Sequence, residues 1–343
     1  MQYRTLGGSG AIVSAQAIGA MTFGNEADEP TSYDILDAFF AAGGTFIDTA
    51  DVYTSGISES IVGRWLKRRR TEARQAVIAT KGRFPMGPGP NDLGLSRRHL
   101  GDALDNSLRR LGVDRIDLYQ MHAWDAITPI EETLRFLDDA VRAGKIAYYG
   151  FSNYLGWQLT KAAQVAKAAG FAPPVTLQPQ YSLLVRGIEH EIVPAALDAN
   201  IGLLPWSPLA GGWLSGKYQR DVFPTGATRL GENPKRGQEA WEARNSNPHT
   251  WQVIDAVADV AKNRGVSMSQ IALTWLAAQP AVTSVLLGAR SVEQLNDNLG
   301  AADLELSSEE IAKLSEASIS QVEPYPYGAA GANQRNRQIS GGR

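Results

Sequence analysis

The chain has 343 residues, of which 43% are hydrophobic and none is cysteine. A chain of this size and composition can bury a large core, and the lack of cysteine excludes disulfides, thiolate catalysis and cysteine-ligated metals. The formal net charge is -3, with 33 basic and 36 acidic residues interspersed, so the charge pattern indicates no binding to nucleic acid or to an anionic membrane.

The first predicted element is a short β-hairpin from Tyr3 to Ser14, with Gly7-Gly8-Ser9-Gly10 as its turn. After it, strand-like and helix-like segments alternate, which is typical of a parallel sheet. The intervening segments carry apolar residues at helical spacing, as at Leu100, Leu104 and Leu111. Eight strands are predicted, at Ala15–Gly19, Thr45–Asp48, Val77–Lys81, Ile116–Met121, Ile146–Phe151, Val175–Gln178, Gly202–Trp206 and Ser284–Gly288.

This order predicts a (β/α)8 TIM barrel whose N-terminal end is covered by the hairpin, with a doubly wound Rossmann sheet as the alternative. We expect a single domain over residues 1–319. The segment Leu209–Asn245, after the seventh strand, is too long for an ordinary connection and is predicted to be a functional lid-like loop. Residues 320–343 lose the pattern and are predicted to form a flexible tail.

Four chemically active residues follow three successive predicted strands. Asp48 ends the second strand, Tyr53 lies in the turn after it, Lys81 ends the third, and His122 follows the fourth. Because a parallel barrel gathers its strand ends at one face, we expect these side chains to line one pocket. A carboxylate, a phenol, an amine and an imidazole together can transfer protons, so an enzyme is the leading interpretation.

The later strand ends carry side chains suited to a long polar ligand. Ser152 and Asn153 follow the fifth strand, Gln178 ends the sixth, Trp206-Ser207 ends the seventh, and Gly288-Ala289-Arg290-Ser291 closes the eighth. Amide groups can hold a carboxamide, an indole can stack on a flat ring, and a helix N-terminus can bind an anion. No G-x-G-x-x-G follows a strand and no G-x-x-x-x-G-K-[ST] loop occurs, so a Rossmann cofactor site is disfavoured.

The remaining signals concern metals and location. The four histidines are scattered without the spacing of metal ligands, so no metal site is expected. The N-terminus lacks the apolar stretch of a signal peptide, and no apolar run reaches the roughly 18 residues of a membrane span. A soluble, cytoplasmic protein is therefore expected.

Seven motifs then occur in a fixed order, and together they are specific. They are Gly44–Ala50 with Tyr53 and Glu59; Ala79–Lys81; Asp117–His122; Gly150–Asn153; Gln178–Ser182; Pro205–Gly212 with Leu214–Tyr218; and Gly288–Ser291 with Gln294 and Asn298. Through them the chain resembles the aldo-keto reductase superfamily from Leu6 to about Ala317. The resemblance is nearer to the bacterial and potassium-channel-β-subunit-like branch than to the mammalian aldose-reductase branch.

The resemblance implies a (β/α)8 barrel that reduces small-molecule carbonyl compounds with NADPH, forming NADP+. Tyr53 would be the proton donor, assisted by Asp48, Lys81 and His122. The residues expected to contact the cofactor are Gly19, Met21, Thr22, Asp48, Ser152, Asn153, Gln178, Trp206, Ser207, Pro208, Leu209, Gly211, Lys217, Gly288, Arg290, Gln294 and Asn298. The residues expected to contact the substrate are Phe23, Tyr53, His122 and Trp124.

The chemistry of these residues supports specific roles. A free tyrosine has a pKa of about 10, and we expect the Lys81 cation, paired with Asp48, to lower the pKa of Tyr53. His122 either orients the carbonyl oxygen or helps to relay the proton. Arg290 begins a helix, where a cation is unfavourable, so a bound phosphate explains it better than exposure to solvent.

Several alternatives stay open at this point. Lys81 and Asp48, taken alone, could be a structural ion pair, and Trp124 could line the substrate pocket or only pack at its rim. The second function considered is a cofactor-binding regulatory or interaction module, similar to channel β-subunits, in which turnover is incidental. The identity of the substrate, the favoured direction and the oligomeric state do not follow from the sequence.

Overall fold

The computed structural model describes residues 1–226, 228–235, 239–320 and 322–335. Its strands are β1 (Tyr3–Thr5), β2 (Ile12–Ser14), β3 (Gln16–Gly19), β4 (Phe46–Asp48), β5 (Val77–Gly82), β6 (Ile116–Met121), β7 (Ile146–Ser152), β8 (Thr176–Gln178), β9 (Gly202–Leu203) and β10 (Val285–Leu287). Strands β3 to β10 form one parallel sheet in the order β10-β3-β4-β5-β6-β7-β8-β9. The eight predicted barrel strands are confirmed, with bounds that differ by a few residues.

The two edge strands of this sheet, β9 and β10, meet through backbone hydrogen bonds. The Leu286 N–H donates to the Pro205 carbonyl (3.1 Å), and the Thr283 N–H donates to the Leu203 carbonyl (2.8 Å). The sheet therefore closes into the predicted barrel, and the doubly wound alternative is wrong. Strand β9 is shorter than predicted, because Pro205 has no N–H with which to extend a ladder.

The predicted N-terminal hairpin is confirmed, since β1 and β2 pair antiparallel with Tyr3 opposite Ser14. Its turn includes Gly7 at φ 54°, where an added Cβ would lie 1.9 Å from the Val175 carbonyl oxygen. Leu6 is fully buried together with apolar residues of the hairpin and barrel strands, namely Val13, Ala17, Phe46, Ala79, Leu118, Val175, Leu204 and Leu286. Because Val175 lies just before β8, the hairpin covers the N-terminal ends of the strands.

The helices surround the barrel and follow the strands as predicted. They are α1 (Glu29–Ala41), α2 (Ile57–Arg68), α3 (Arg70–Ala73), α4 (Arg97–Leu111), α5 (Ile130–Arg142), α6 (Gly156–Ala169), α7 (Ile192–Asp198), α8 (Arg229–Glu232), α9 (Trp241–Asn245), α10 (Pro248–Arg264), α11 (Met268–Ala277), α12 (Val292–Leu299), α13 (Ser308–Ala317) and α14 (Ala329–Arg335). In α4 the Ser96 hydroxyl accepts from the His99 N–H, and Gly112 ends the helix at φ 66°. Within the described ranges, no helix has both the length and the apolar character needed to cross a membrane.

The long segment after β9, Leu209–Asn245, contains short helical elements and is called here the β9 loop. It holds a 3-10 turn at Ala210–Ser215, followed by α8 and α9, while residues 227 and 236–238 lie outside the described ranges. Trp213 and Trp241 stack with ring centroids 5.1 Å apart, and Leu230 of α8 is fully buried. Apolar contacts thus join both ends of the loop to each other and α8 to the core.

The C-terminal segment, predicted as a flexible tail over 320–343, contains regular structure in its described part. Helix α14 occupies Ala329–Arg335. Before it, the Tyr327 ring stacks on His190 at 5.1 Å, and its hydroxyl donates to Glu191 (2.5 Å). Residue 321 and residues 336–343 lie outside the described ranges.

Candidate active site

The parallel register places the predicted reactive residues at one end of the barrel. Asp48 is the last residue of β4, Lys81 lies near the end of β5 opposite Gln120 of β6, and His122 directly follows β6. Tyr53 begins a 3-10 turn after β4. The next two residues of this turn are left-handed, at φ 48° and 52°, and such a backbone turns sharply. All four predicted residues are therefore brought to the same mouth.

The Lys81 ammonium is the centre of this arrangement. Its Nζ donates to Asp48 Oδ2 (2.5 Å), to the Thr49 carbonyl (2.8 Å) and to Tyr53 Oη (3.2 Å). Lys81 is fully buried, and burial by itself lowers the pKa of an amine. The attraction of Asp48 and of Tyr53 outweighs that effect and raises the pKa of Lys81 above its ordinary value, so this side chain is a cation.

Two buried amides hold the other oxygen of the Asp48 carboxylate. Gln120 Nε2 donates to Oδ1 at 3.1 Å, and Gln178 Nε2 donates to the same atom at 2.8 Å. Gln120 has no role among the predicted site residues, although its alternation with His122 places both side chains on the inward face of the barrel. Gln178, which the resemblance associates with a carboxamide, contacts Asp48 here.

The phenol of Tyr53 has a raised pKa, which corrects the expectation of a lowered one. Burial of the phenol raises the pKa of Tyr53, and the nearby Lys81 cation opposes this without overcoming it. The phenol is therefore protonated at neutral pH and points at a fixed positive charge. In physical terms this is a proton donor whose conjugate base would be stabilised by Lys81.

The imidazole of His122 is neutral. Burial, followed by the charges of Lys81 and Arg83, lowers the pKa of His122 to about 2. Its ring makes edge contacts with Tyr53 at 5.8 Å and with Phe84 at 4.7 Å between centroids. A neutral imidazole can donate a hydrogen bond from one nitrogen, so this charge state favours orientation of a carbonyl oxygen over relay of a proton.

Aromatic residues surround the entrance next to His122. Trp124 contacts Tyr154 and Trp157 with ring centroids 5.2 and 5.4 Å apart, and Arg83 Nη2 donates to the Trp124 carbonyl (3.2 Å). Trp124 is half-buried at this rim. Phe84, also half-buried, was not singled out in the sequence analysis, although it lies three residues after Lys81.

The residues after β3 divide between the mouth and the core. Gly19 ends β3, and Met21 is 40% exposed. The Thr22 hydroxyl is buried and donates to the Ala289 carbonyl (3.0 Å), which links this turn to the loop after β10. Phe23 is fully buried in the main apolar cluster. The expectation that Phe23 lines the substrate pocket is corrected, because its side chain presents no surface to the mouth.

Four residues expected to contact the cofactor, Ser152, Asn153, Gln178 and Trp206, form one hydrogen-bonded group beside His122. Asn153 Nδ2 donates to the His122 carbonyl (3.0 Å) and to Ser152 Oγ (3.1 Å), while Asn153 Oδ1 accepts from Trp206 Nε1 (3.0 Å). The Ser152 hydroxyl donates to the Gln178 carbonyl (2.9 Å). The Trp206 indole is half-exposed, and the hydrogen bond from its Nε1 atom to Asn153, in the loop after β7, fixes its orientation.

The start of the β9 loop has an unusual backbone. Ser207, Ala210, Gly211 and Gly212 have φ values of 54°, 49°, 67° and 101°. A right-handed residue followed by a left-handed one, as at Leu209 and Ala210, can turn successive N–H groups toward a common anion. Pro208 and Leu209 lie within this stretch, and Lys217 follows it as an exposed cation.

The loop after β10 and helix α12 contain four residues expected to contact the cofactor, Gly288, Arg290, Gln294 and Asn298. The Ser291 hydroxyl caps α12, and the Gln294 side chain accepts from the Arg290 N–H (3.1 Å). Asn298 Nδ2 donates to the Gly288 carbonyl (3.4 Å). In this structure Gln294 and Asn298 therefore support the loop that carries Arg290.

The Arg290 guanidinium is half-buried and already carries two carboxylate partners. Its Nε donates to Glu26 (3.1 Å), and its two Nη atoms donate to the two carboxylate oxygens of Glu232 at 3.1 and 2.9 Å. Neither glutamate is among the site residues predicted from the sequence. They lie 264 and 58 residues from Arg290 along the chain, so no local spacing indicates the contact.

Comparison with known proteins adds an independent observation. Residues 17–319 match the family model described as the aldo/keto reductase family. The chain is 37% identical over 324 residues to "Uncharacterized oxidoreductase YrpG" of Bacillus subtilis, with 92% of this chain and 95% of that protein covered. It is 37% identical over 306 residues to "Probable voltage-gated potassium channel subunit beta" of Oryza sativa, covering 89% and 92%.

A fungal protein is similar over a comparable length. The chain is 32% identical over 339 residues to "Versiconal hemiacetal acetate reductase" of Aspergillus parasiticus, with 92% of this chain and 96% of that protein covered. Each of these matches extends well beyond the strand ends that form the site.

Proposed function

The chain belongs to the aldo/keto reductase family, and from that premise we propose that it reduces an aldehyde or ketone to the alcohol with NADPH, with Tyr53 as the proton donor. One observation carries this proposal. A buried lysine contacts both a carboxylate and a phenol, with its Nζ 2.5 Å from Asp48 and 3.2 Å from Tyr53. A neutral imidazole, that of His122, lies beside the phenol.

The proposed roles of His122 and Tyr53 follow from the charge states of their side chains. When bound, NADPH supplies the hydride that adds to the carbonyl carbon. His122 donates a hydrogen bond to the carbonyl oxygen and so orients it. Tyr53 transfers its phenolic proton to that oxygen as negative charge develops there, and the product is the alcohol. General acid help of this kind contributes about 10²–10⁴-fold to a rate.

Lys81 and Asp48 act on Tyr53 in this scheme and do not contact the substrate. When Tyr53 loses its proton, a negative charge forms in a buried site, which costs free energy. The neighbouring Lys81 cation lowers that cost by attracting the charge. Asp48 holds the ammonium in place, and Gln120 and Gln178 hold Asp48. Because the charges are fixed before reaction, little reorganisation is needed during proton transfer.

The chemistry of the side chains fits a nicotinamide dinucleotide. The half-exposed indole of Trp206, held by its hydrogen bond to Asn153, offers a flat surface for the nicotinamide ring. We propose that Ser152, Asn153 and Gln178, which lie together through their own hydrogen bonds, contact its carboxamide. We propose that the backbone of 207–212 with Lys217 holds the pyrophosphate. Arg290 would hold a 2′-phosphate, since a guanidinium matches phosphate geometry with paired hydrogen bonds.

A second candidate function is a cofactor-binding regulatory or interaction module. It is favoured by the similarity to proteins named as potassium channel β-subunits in Oryza sativa and Arabidopsis thaliana, 37% and 36% identical over 306 residues. In that case turnover would be incidental. The complete set of Asp48, Tyr53, Lys81 and His122 at one mouth supports the reductase over this alternative.

The test is multiple-turnover oxidation of NADPH with a panel of aldehydes and ketones, followed by the absorbance of the reduced nicotinamide. We expect many turnovers for each protein molecule with at least one carbonyl compound, and turnover slower by about 10²–10⁴-fold with Tyr53→Phe. Binding of NADPH without more than one turnover on the whole panel would instead favour the regulatory module.

A further inference from the structure

The ion pairs of Arg290 connect three separate parts of the molecule. Glu26 belongs to the turn after β3, Arg290 to the loop after β10, and Glu232 is the last residue of α8 in the β9 loop. The Glu232 carboxylate uses both of its oxygens on the two Nη atoms of Arg290. This two-pronged contact is the one that a phosphate group would also need.

The surroundings of α8 explain why Glu232 lies there. Thr228 caps the helix through its hydroxyl, and Leu230 is fully buried, with its N–H donating to the Tyr218 hydroxyl (3.3 Å). The core contact of Leu230 fixes the position of the helix, so the C-terminal Glu232 faces Arg290. The Glu232 side chain remains 49% exposed, whereas that of Arg290 is 21% exposed.

The charges around Arg290 determine which group of a cofactor can bind next to Glu232. Glu26 and Glu232 each contact the single cation of Arg290, and Arg229 lies 4.0 Å from Glu26. A 2′-phosphate carries more negative charge than a carboxylate, so placing it on Arg290 beside Glu232 would bring like charges into contact. A ribose hydroxyl is uncharged and can donate a hydrogen bond to a carboxylate.

We propose that Glu232 is a specificity-determining residue for the cofactor. Its carboxylate holds the face of Arg290 that a 2′-phosphate requires, so NADPH has to displace Glu232 whereas NADH binds with the Arg290–Glu232 pair intact. The preference of the wild type for NADPH over NADH is therefore smaller than it would be if Arg290 had no competing contact with Glu232. This inference rests on the proposed function, in which Arg290 meets the 2′-phosphate.

The test measures affinities, so it does not depend on turnover. Dissociation constants for NADPH and NADH are measured by quenching of tryptophan fluorescence in wild type, Glu232→Gln and Glu242→Gln. Glu242 is an exposed glutamate of α9 in the same loop, and its replacement is the matched control. Glutamine keeps the length and the polar end of glutamate but removes its charge.

We expect Glu232→Gln to bind NADPH roughly two- to fivefold more tightly, which is the scale of a partly exposed ion pair. Affinity for NADH should stay within about twofold, and the gain should shrink at high salt because screening weakens the competing pair. Glu242→Gln should match wild type with both cofactors. In an Arg290→Ala background, Glu232→Gln should lose its selective effect, because the shared partner is gone.

Three results would overturn the proposal. They are an unchanged or weaker affinity of Glu232→Gln for NADPH, an equal gain for both cofactors, and an undiminished gain in the Arg290→Ala background. If wild type oxidises NADPH with a carbonyl compound while Glu232→Gln behaves like Glu242→Gln, only this inference fails. If wild type neither binds nor oxidises NADPH, the proposed function fails and this inference with it.

Discussion

The Nζ atom of Lys81 lies 2.5 Å from Oδ2 of Asp48, and the two side chains are 0% and 3% exposed. Removing two charges from water costs several kcal/mol for each ion, and their attraction repays it only when the remaining hydrogen bonds are satisfied. Here they are satisfied, by Thr49 and Tyr53 on one side and by two amides on the other. Since replacing a buried ion pair by apolar residues is often neutral or stabilising, we infer that the pair is there for the chemistry at Tyr53.

Tyr53→Phe should lower kcat for carbonyl reduction by about 10²–10⁴-fold, the usual contribution of a general acid. Only the hydroxyl is lost, and the Trp206 and Asn153 contacts lie elsewhere, so the dissociation constant for NADPH should stay close to that of wild type. Steady-state kinetics and a fluorescence titration on the same preparation check both values. Wild-type kcat in this variant would remove Tyr53 from the role of acid.

Lys81→Met should destabilise the protein as well as inactivate it. The substitution leaves the buried Asp48 carboxylate without its cation, which costs about 3–5 kcal/mol when one partner of a buried pair is removed. The double variant Lys81→Met/Asp48→Asn removes both charges and should regain most of that stability while staying inactive. Urea unfolding of the two variants and wild type provides the measurement, and a double variant no more stable than the single one would contradict the prediction.

The pH dependence of kcat/KM should lack a contribution from His122. Its pKa of about 2 keeps the imidazole neutral at physiological pH, far from the ordinary value of about 6.5. The rate should instead fall at alkaline pH, as Tyr53, whose pKa burial raises, loses the proton that it must donate. A pH profile of wild type and His122→Gln checks this. A limb near neutral pH that is present in wild type and absent in His122→Gln would show that the imidazole titrates.

Asp51 should make the fold less stable as pH rises. Its carboxyl is fully buried, and burial, with Glu59 nearby, raises its pKa to about 7. Since the unfolded value is about 3.9, the folded state binds more protons between these values, and stability falls as pH increases from the lower to the upper one. Above the pKa of Asp51 in the folded state, the loss of folding stability no longer grows with pH and is on the order of a few kcal/mol.

Asp51→Asn has no carboxyl to ionise and should abolish this dependence. We expect it to be more stable than wild type at about pH 8 and to lose most of that advantage at about pH 4, near the unfolded pKa. Urea midpoints for the two proteins at both pH values provide the measurement. A difference between them that does not change with pH would mean that Asp51 does not titrate in this range.

The parts of the site that the sequence predicts are those set by strand ends. Asp48, Lys81 and His122 each lie at the end of an apolar segment that the sequence predicts as a strand. Because the C-terminal ends of parallel barrel strands lie at one face, this position alone predicts that the three residues are close together. Gln120 could have been found by the same rule, because it alternates with His122 along β6.

The parts that the sequence does not predict depend on loop paths or on burial. Phe23 follows a strand end as Met21 does, yet the turn directs Phe23 into the core and leaves Met21 40% exposed. Glu232 reaches Arg290 only because the buried Leu230 fixes α8. The raised pKa of Tyr53 reflects a balance of burial against charge, and the degree of burial is known only from the folded chain.

The pairing of β3 with β10 joins the beginning and the end of the barrel sequence, which affects how the protein folds during synthesis. Val285 pairs with Gln16, and the Ser284 hydroxyl donates to the Ser14 carbonyl across 270 residues of sequence. The barrel therefore cannot close until the chain has been synthesised through β10. Until then the nascent sheet has two unpaired borders, which are surfaces on which other chains can add strands. Because pairing between residues so far apart in sequence forms slowly, we expect the closure of the barrel to slow folding.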